Sequence, residues 1–436
     1  LTPTNGPLMA PDLTNDSSVR KIVVIGAGAA GLMAAAESAE RGASVVLLEK
    51  NGKTGVKILM SGGTRCNITQ DTDARGIAAA FGRSGRFLQK SVGAFDPAAV
   101  VKMFHNCGVD TKVEATGKIF PISDRAVHVR DALRDRAVDA GAKIFLRSAV
   151  QDIQRARSGW SVRTESGNID CDRVIVTAGG KSWPGCGTTG DAYAWLHQLG
   201  HTIVRTRPAL VPLVGGYPWS HALSGLTLED CVASVYSRED WKNKSPSKRK
   251  PLISRQSSWL FTHRGFSGPA AMDVSGTITR ARRFDEVALV VDFVPDLSIS
   301  QLEAALRDRS GGGRKTTGSV IAQWLPNRLA DSIVAAQDAN LPLSQLSRSK
   351  LGDLVGGLKQ CVFPIEGTRG FAKAEVTAGG VQLSEVDPKT MESRLARGLF
   401  IAGEVLDLDG WIGGYNFQAA FSTGRAAGIA ASASSP

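Results

Sequence analysis

Lys21-Ile-Val-Val-Ile-Gly-Ala-Gly-Ala-Ala-Gly31 is the stretch that decides the fold. Residues 21–25 are an almost wholly apolar run of strand length. Gly26-x-Gly28-x-x-Gly31 follows directly, and the small residues from Ala29 to Arg41 read as a helix. Ser44-Val-Val-Leu-Leu-Glu49 supplies a second strand. The unit is therefore β-α-β with short connections, the opening of a doubly wound, Rossmann-like α/β sheet. In that context each glycine has a task. Gly26 permits the tight turn, Gly28 lets a pyrophosphate approach the backbone, and Gly31 lets helix and strand pack closely. Ala27, Ala29 and Ala30 complete the turn, and the helix N-terminus aims amide donors at the phosphates. Glu49, with Lys50 beside it, falls about 20 residues on, where an acid accepts from ribose hydroxyls. A bound dinucleotide is expected.

At 436 residues the chain exceeds one ordinary core, so two or three domains are expected. No apolar run approaches the roughly 20 residues needed to span a bilayer. The cysteines (Cys66, Cys107, Cys171, Cys186, Cys231, Cys361) are scattered and the histidines lack ligand spacing. Neither a disulfide framework nor a metal site is expected, and a reducing cytoplasm is the expected location. Residues 1–19 lack the basic start and apolar stretch of a signal peptide and read as a disordered extension. The net charge of +11 permits a nucleic-acid partner without implying one.

The α/β pattern runs over residues 20–205 and returns over 369–436. Between them, 206–297 breaks into short alternating apolar stretches and about 298–360 becomes helical. One dinucleotide-binding domain interrupted by an inserted domain, 206–368, is the economical account. A second GxGxxG, Gly185-Cys-Gly-Thr-Thr-Gly190, is separated from its strand by Lys181-Ser-Trp-Pro184 and has no acid at the expected place. It reads as a turn opening a helix at Asp191, which leaves no separate NAD(P)H domain.

Beyond the second strand, residues 56–67 form a polar, glycine-bearing loop. It can present backbone amides and side chains to a pyrophosphate or an isoalloxazine, through Ser61, Gly62, Gly63, Arg65, Cys66 and Asn67. Cys66 has no partner cysteine nearby, which speaks against a disulfide-reductase mechanism.

The chain resembles the aminoacetone oxidase-like family of FAD-dependent flavoproteins, close to bacterial bile-acid ene reductases and more distantly to other glutathione-reductase-type FAD folds. The resemblance rests on IGAGAAGLMAA (25–35), GVKILMSGGTRCN (55–67), GKIFPISDRA (117–126), TAGGKSWPGCGTTGDAY (177–193) and LFTHRGFSGPA (260–270). AEVTAGGV (374–381) and the long block of residues 388–428 carry it further. It implies non-covalent FAD in a domain whose insert has a β-barrel-like part and a helical part. It also implies that Gly403, Glu404 and Asp409 line the ribityl and pyrophosphate side. Gly413, Gly414, Tyr415, Asn416 and Phe417 would lie against the flavin ring. A helix starting near Asn416 would aim its positive end at the flavin N1/C2 carbonyl, where charge collects on reduction. By the same resemblance Val150 would give backbone hydrogen bonds to adenine, and Ala178 and Gly179 would end a strand beneath the phosphates.

The catalytic groups are harder to name. His263 is a candidate general acid/base or a structural histidine. Asp124 and Arg125 could bind a substrate amine or anion, or form a loop ion pair. Lys57 could face the flavin or the surface. The expected reaction is hydride transfer between a small organic substrate and flavin N5, as a small-amine oxidase or an NAD(P)H-dependent ene reductase. NAD(P)H would be a transient electron donor in the second case. The alternatives are a flavin-containing RNA-binding or RNA-modifying protein and a flavoprotein whose cofactor is structural or sensory. The basic stretch 238–255, with Trp241 inside it, is the only feature for RNA and reads as a solvated loop. Nucleic acid and membrane are not expected partners.

Overall fold

The computed structural model describes residues 19–308 and 315–433. The expected disordered extension, apart from Val19, lies outside the described residues. The chain forms two compact units, one up to Arg207 and again from Val376, the other Pro208–Glu375.

The first unit is built on a five-stranded parallel sheet. Its order is Leu399–Ile401, Arg173–Val176, Lys21–Ile25, Ser44–Leu48, Lys143–Phe145. Ile22 to Val24, Val46, Leu47 and Val174 to Val176 are fully buried. Continuous apolar runs are what a parallel sheet covered on both faces requires. The helix Ala29–Ala39 is buried along its whole length, and the C-terminal helix Tyr415–Ser432 packs across it. That crossing is close because Gly424 and Gly428 lack side chains. A Cβ on them would stand 2.3 Å from the Ala30 carbonyl oxygen and 2.5 Å from that of Ala34. The buried Glu37 is neutralised by Arg136 at 2.7 Å and Arg41 at 2.8 Å. Two three-stranded antiparallel sheets also belong to the unit. One holds Thr69–Gln70, Lys118–Pro121 and Thr111–Val113; the other holds Val150–Arg155, Trp160–Thr164 and Gly167–Cys171.

The second unit is organised by a seven-stranded antiparallel sheet. Its order is Cys361–Phe363, Val287–Asp292, Thr227–Ser237, Ile253–Thr262, Gly265–Ser267, Leu213–Gly215, Ile365–Thr368. The two edge strands are consecutive in the chain, joined by Pro364, so the sheet curls round. Among the described residues no hydrogen-bonded ladder joins those edges, and the barrel-like part is an open sheet. An aromatic core fills it, with Phe266 and Phe363 ring centroids 4.4 Å apart and Trp259 at 4.9 Å from Phe266. The β-rich stretch also contains the helix Pro269–Arg280, opened by a proline at its first turn, where the missing N–H costs nothing. Leu302, Leu306, Leu325, Leu329, Ile333 and Leu354 bury the helical part against it.

Candidate cofactor site

The first turn has the geometry that its glycines predict. Gly26 takes φ +97°, and a Cβ there would meet the Thr177 carbonyl oxygen at 2.8 Å; one on Gly31 would meet the Gly26 carbonyl oxygen at 1.8 Å. A Cβ on Gly28 would meet nothing within 4 Å. Open space therefore lies where a pyrophosphate would approach the start of the helix Ala29–Ala39. Ala27 and Ala30 are buried beside it. Thr177 braces the turn by donating to the carbonyls of Ile25 (2.8 Å) and Gly26 (3.0 Å). Ala178 and Gly179 follow, Gly179 at φ +74°. Glu49 is buried, and its carboxylate accepts from the Ala27 N–H at 2.8 Å and from both the N–H and the side-chain amide of Asn51 at 2.8 Å. Three of about four acceptor positions are thus used within the protein. Glu49 shapes the turn and keeps little more than one position for a ribose hydroxyl.

Residues 182–191 border this same site, which sequence reasoning missed. Lys50 donates to Thr189 at 2.6 Å and pairs with Asp191, and the Asn51 amide donates to the Cys186 carbonyl at 3.0 Å. Gly187 and Gly190, at φ +85° and +79°, turn the chain into the helix Asp191–Gln198. The second GxGxxG is a wall beside Glu49 to Asn51. No separate signal in the sequence places it there.

The loop after the second strand begins with the short helix Val56–Met60 and then turns left-handed. Gly62, Gly63, Thr64 and Cys66 have φ of 55°, 66°, 70° and 60°. Each non-glycine residue in that region costs roughly 1–2 kcal/mol, and such strain concentrates at functional sites. Cys66 is fully buried, and burial pushes its thiol up to about 12, so it is no thiolate nucleophile. Ser61 donates to the Ile58 carbonyl at 2.7 Å. Arg65 pairs with Glu114 at 2.7 Å and Asp124 at 3.3 Å, and its guanidinium lies 4.0 Å from the centre of the Phe120 ring. The Lys112 ammonium, joined by Arg65, holds the Asp124 carboxyl below its usual range. Arg125, next in the chain, is exposed at the start of the helix Ala126–Asp139.

The C-terminal block closes on these segments. With its amide oriented to satisfy both ends, Asn67 donates to the carbonyls of Thr69 (2.9 Å) and Ile119 (3.2 Å) and accepts from the Gly414 N–H at 3.1 Å. A Cβ on Gly414 would stand 2.6 Å from the Thr69 backbone. Thr69 donates to the buried Gln418 side chain at 2.6 Å. Gly403, at φ +78°, faces Ala30 of the first helix, and its N–H donates to Thr423 at 3.1 Å. Glu404 accepts from Lys57 at 2.6 Å, from the Ser182 hydroxyl at 2.6 Å and from the Thr377 N–H at 3.0 Å. Lys57 is therefore a clamp on Glu404, and it also donates to Ser182 at 2.6 Å.

The remaining expected residues vary in what they hold. Asn416 fastens its own loop, accepting from the Gly410 N–H at 2.8 Å and donating to the Gly410 carbonyl at 3.1 Å. Tyr415 meets Trp411 edge-on at 6.0 Å, and Phe417 stacks on Phe421 at 6.0 Å. Gly413 takes φ +133° against the Gln70 side chain. Asp409 is half-buried beside Gly410, and Val150 opens the strand that pairs with Trp160–Thr164. His263 belongs to the second unit, exposed on the turn between Ile253–Thr262 and Gly265–Ser267. Tyr193, absent from the sequence expectations, is buried with no hydrogen-bond partner for its hydroxyl. Burial, then the carboxylates of Glu404 and Asp407, push its phenol up. No cluster of His, Cys, Asp or Glu fit for a metal occurs among the described residues.

Open space over Gly28, glycines held at positive φ in all three converging segments and an orphaned hydroxyl beside Glu404 fit a long dinucleotide. The sequence profile of the HI0933-like protein Rossmann domain matches residues 20–430. The chain belongs to the HI0933-like family. With that family it is a flavoprotein oxidoreductase of the FAD type. A 3-dehydro-bile acid delta(4,6)-reductase of Clostridium scindens is 32% identical over 95% of the chain and 99% of its own length. The ribosomal RNA dihydrouridine synthase of Haemophilus influenzae is 30% identical over 94% and 98%, and that of Escherichia coli 31% over 92% and 95%. No helix among the described residues is long and apolar enough to cross a membrane.

Proposed function

We propose that this family member is an FAD-dependent reductase of a C=C bond conjugated to a carbonyl, with NAD(P)H as electron donor. The observation that supports the cofactor is the convergence of the Gly26 turn, the 61–67 loop and the 403–418 block within one unit. Support for the direction comes from the relatives' names. A delta(4,6)-reductase of a 3-dehydro-bile acid and a dihydrouridine synthase share one chemistry if each acts at a C=C bond conjugated to a carbonyl, in a 3-oxo steroid or in a uracil ring. FAD, when bound, supplies hydride transfer from N5.

The chain's part is to bind, orient and polarise. Gly28 and the first amides of the helix Ala29–Ala39 receive the pyrophosphate, and Glu49 accepts from the adenosine ribose. Lys57, Ser182 and Thr377 hold Glu404 toward the ribityl side. Arg65, fixed by Glu114 and Asp124, is the group assigned to the substrate carbonyl. A preorganised cation at the oxygen that gains charge lowers the barrier to hydride addition.

Anaerobic mixing of the yellow protein with NADH or NADPH tests this. The flavin absorbance should bleach and return on adding a conjugated enone, stoichiometric with the saturated product. Arg65→Met should slow that return at least a hundredfold without changing the bleaching. Absence of bleaching together with peroxide release from aminoacetone in air would make the chain an amine oxidase instead. Protein that cannot be reconstituted with FAD would remove the cofactor assignment itself.

A further inference from the structure

The Arg65 guanidinium is fixed along one edge and free along the other. Its Nη1 donates to Glu114 at 2.7 Å and to Asp124 at 3.3 Å, which uses both hydrogens of that nitrogen. One face of the plane lies against the Phe120 ring. Nε and Nη2, the donors of the far edge, have no partner among the described residues. The backbone holds this arrangement under strain. Thr64 and Cys66 flank Arg65 at φ 70° and 60°, and its partner Asp124 takes φ 51°. Behind the bound edge the charges cancel. Glu114 and Asp124 are the carboxylates that act on Arg65, and Asp124 is shared with the Lys112 ammonium. Two cations therefore meet two carboxylates, all of them partly exposed.

We propose that Asp124 is a specificity-determining residue of this site. It cancels enough of the positive field that the free edge of Arg65 takes an uncharged conjugated carbonyl in preference to a conjugated carboxylate. The proposal rests on the reading that Arg65 receives the substrate carbonyl. A carbonyl oxygen needs donors in the right place, and the free edge offers them whatever the net charge behind it. A carboxylate surrenders more hydration on entering a site, and an unmatched cation is what offsets that cost. With Glu114 alone, Arg65 and Lys112 would leave one positive charge unmatched, and the free edge would favour anions. Asp124 removes that excess. Lys112 works in the opposite direction, because without it the cluster carries one net negative charge. Neither residue touches the reacting atoms, so each is a positioning residue that acts through Arg65.

Titration of the oxidised yellow protein with cyclohexenone and with cyclohexenecarboxylate, followed by the change in its visible absorbance, tests this without turnover. The parent should bind the ketone more tightly. Asp124→Asn keeps the side-chain shape, an acceptor oxygen for Arg65 and a residue type that tolerates left-handed backbone. It should shift the ratio of the two affinities about tenfold toward the acid, and the shift should shrink as salt is raised. Lys112→Met should move the ratio the other way. Lys112 lies outside the 61–67 loop, so this variant carries the test if Asp124→Asn loses its flavin. FAD absorbance and melting temperature are the folding controls for both. Were the cluster merely structural, each variant would weaken both ligands together; an unmoved ratio overturns the proposal. So does a parent that prefers the acid or binds neither compound. No nicotinamide is present, so failure of hydride transfer and failure of charge selection are read separately.

Discussion

Glu49 acts on the protein as much as on any ligand. Hydrogen bonds to a charged group are each worth about 1.5–3 kcal/mol, and this carboxylate receives three from Ala27 and Asn51. Glu49→Ala should therefore weaken FAD binding at least tenfold, about 1.4 kcal/mol, and lower the melting temperature of the FAD-free protein too. A residue that only touched ribose would leave that temperature unmoved; calorimetry with and without FAD separates the two. Tyr193 gives the opposite sign. Its buried hydroxyl has no protein partner, and leaving such a group unsatisfied costs about 1–3 kcal/mol. Tyr193→Phe should stabilise the FAD-free protein by up to about 1 kcal/mol while weakening FAD retention, measured by fluorescence on dilution. The glycines and Glu49 were legible in the sequence because a strand, a turn and a helix are local. Tyr193 was not, because an orphaned hydroxyl is defined by what surrounds it, and Glu404 and Asp407 are far along the chain.

At the scale of elements, the first and last helices are held together by what they lack. Gly424→Ala would drive a Cβ to 2.3 Å from the Ala30 backbone, and overpacking of this kind costs about 1–3 kcal/mol. Gly93, inside the helix Gly85–Ala94, would meet nothing within 4 Å. Gly93→Ala should be neutral or stabilising by about 0.5–1 kcal/mol, and paired thermal melts compare the two.

Another junction titrates. His201 is buried, with Glu385 at 3.2 Å and the Ser393 hydroxyl at 2.8 Å. Burial holds its imidazole below the ordinary value against the pull of Glu385. Burial works to raise the Glu385 carboxyl, yet donors from Thr202 and then His201 bring it below the usual range. As pH falls through about 6.5, the unfolded chain takes up a proton that native His201 refuses. Below about 4.3 the Glu385 contribution goes as well. Stability should drop on acidification from about pH 7 to about pH 5, and His201→Gln should flatten that fall in melting temperature. The small-residue pattern of the two helices was legible; their partnership, and that of His201 with residues 385 and 393, depends on a topology that no window of sequence contains.

For the whole molecule, two separate cores follow from the division of the chain. Trp259, Phe261, Phe266, Phe293 and Phe363 belong to the second core only. Residues 208–375 expressed alone should melt cooperatively, remain colourless and bind no FAD, as followed by circular dichroism and absorbance. Non-cooperative melting would mean that this core needs the other unit. The alternation of composition along the chain pointed to an interruption because strand-rich and helical patterns differ in period. The open, curled sheet was less legible. Its strands Leu213–Gly215 and Ile365–Thr368 lie about 150 residues apart in sequence, pair with a bulge, and are too short to carry a period of their own.

One edge strand of the parallel sheet, Leu399–Ile401, binds along Arg173–Val176, and the helix after it packs on the first helix, Ala29–Ala39. A ribosome adding about 5–20 residues per second makes the Gly26 turn early and its covering strand and helix roughly 20 to 75 seconds later. Until then one flank of the nascent sheet is bare, an unpaired edge open to other chains. Flavin enclosed by that strand and helix has to wait for both, and the yield of yellow protein in a cell should depend on how well that waiting edge is chaperoned.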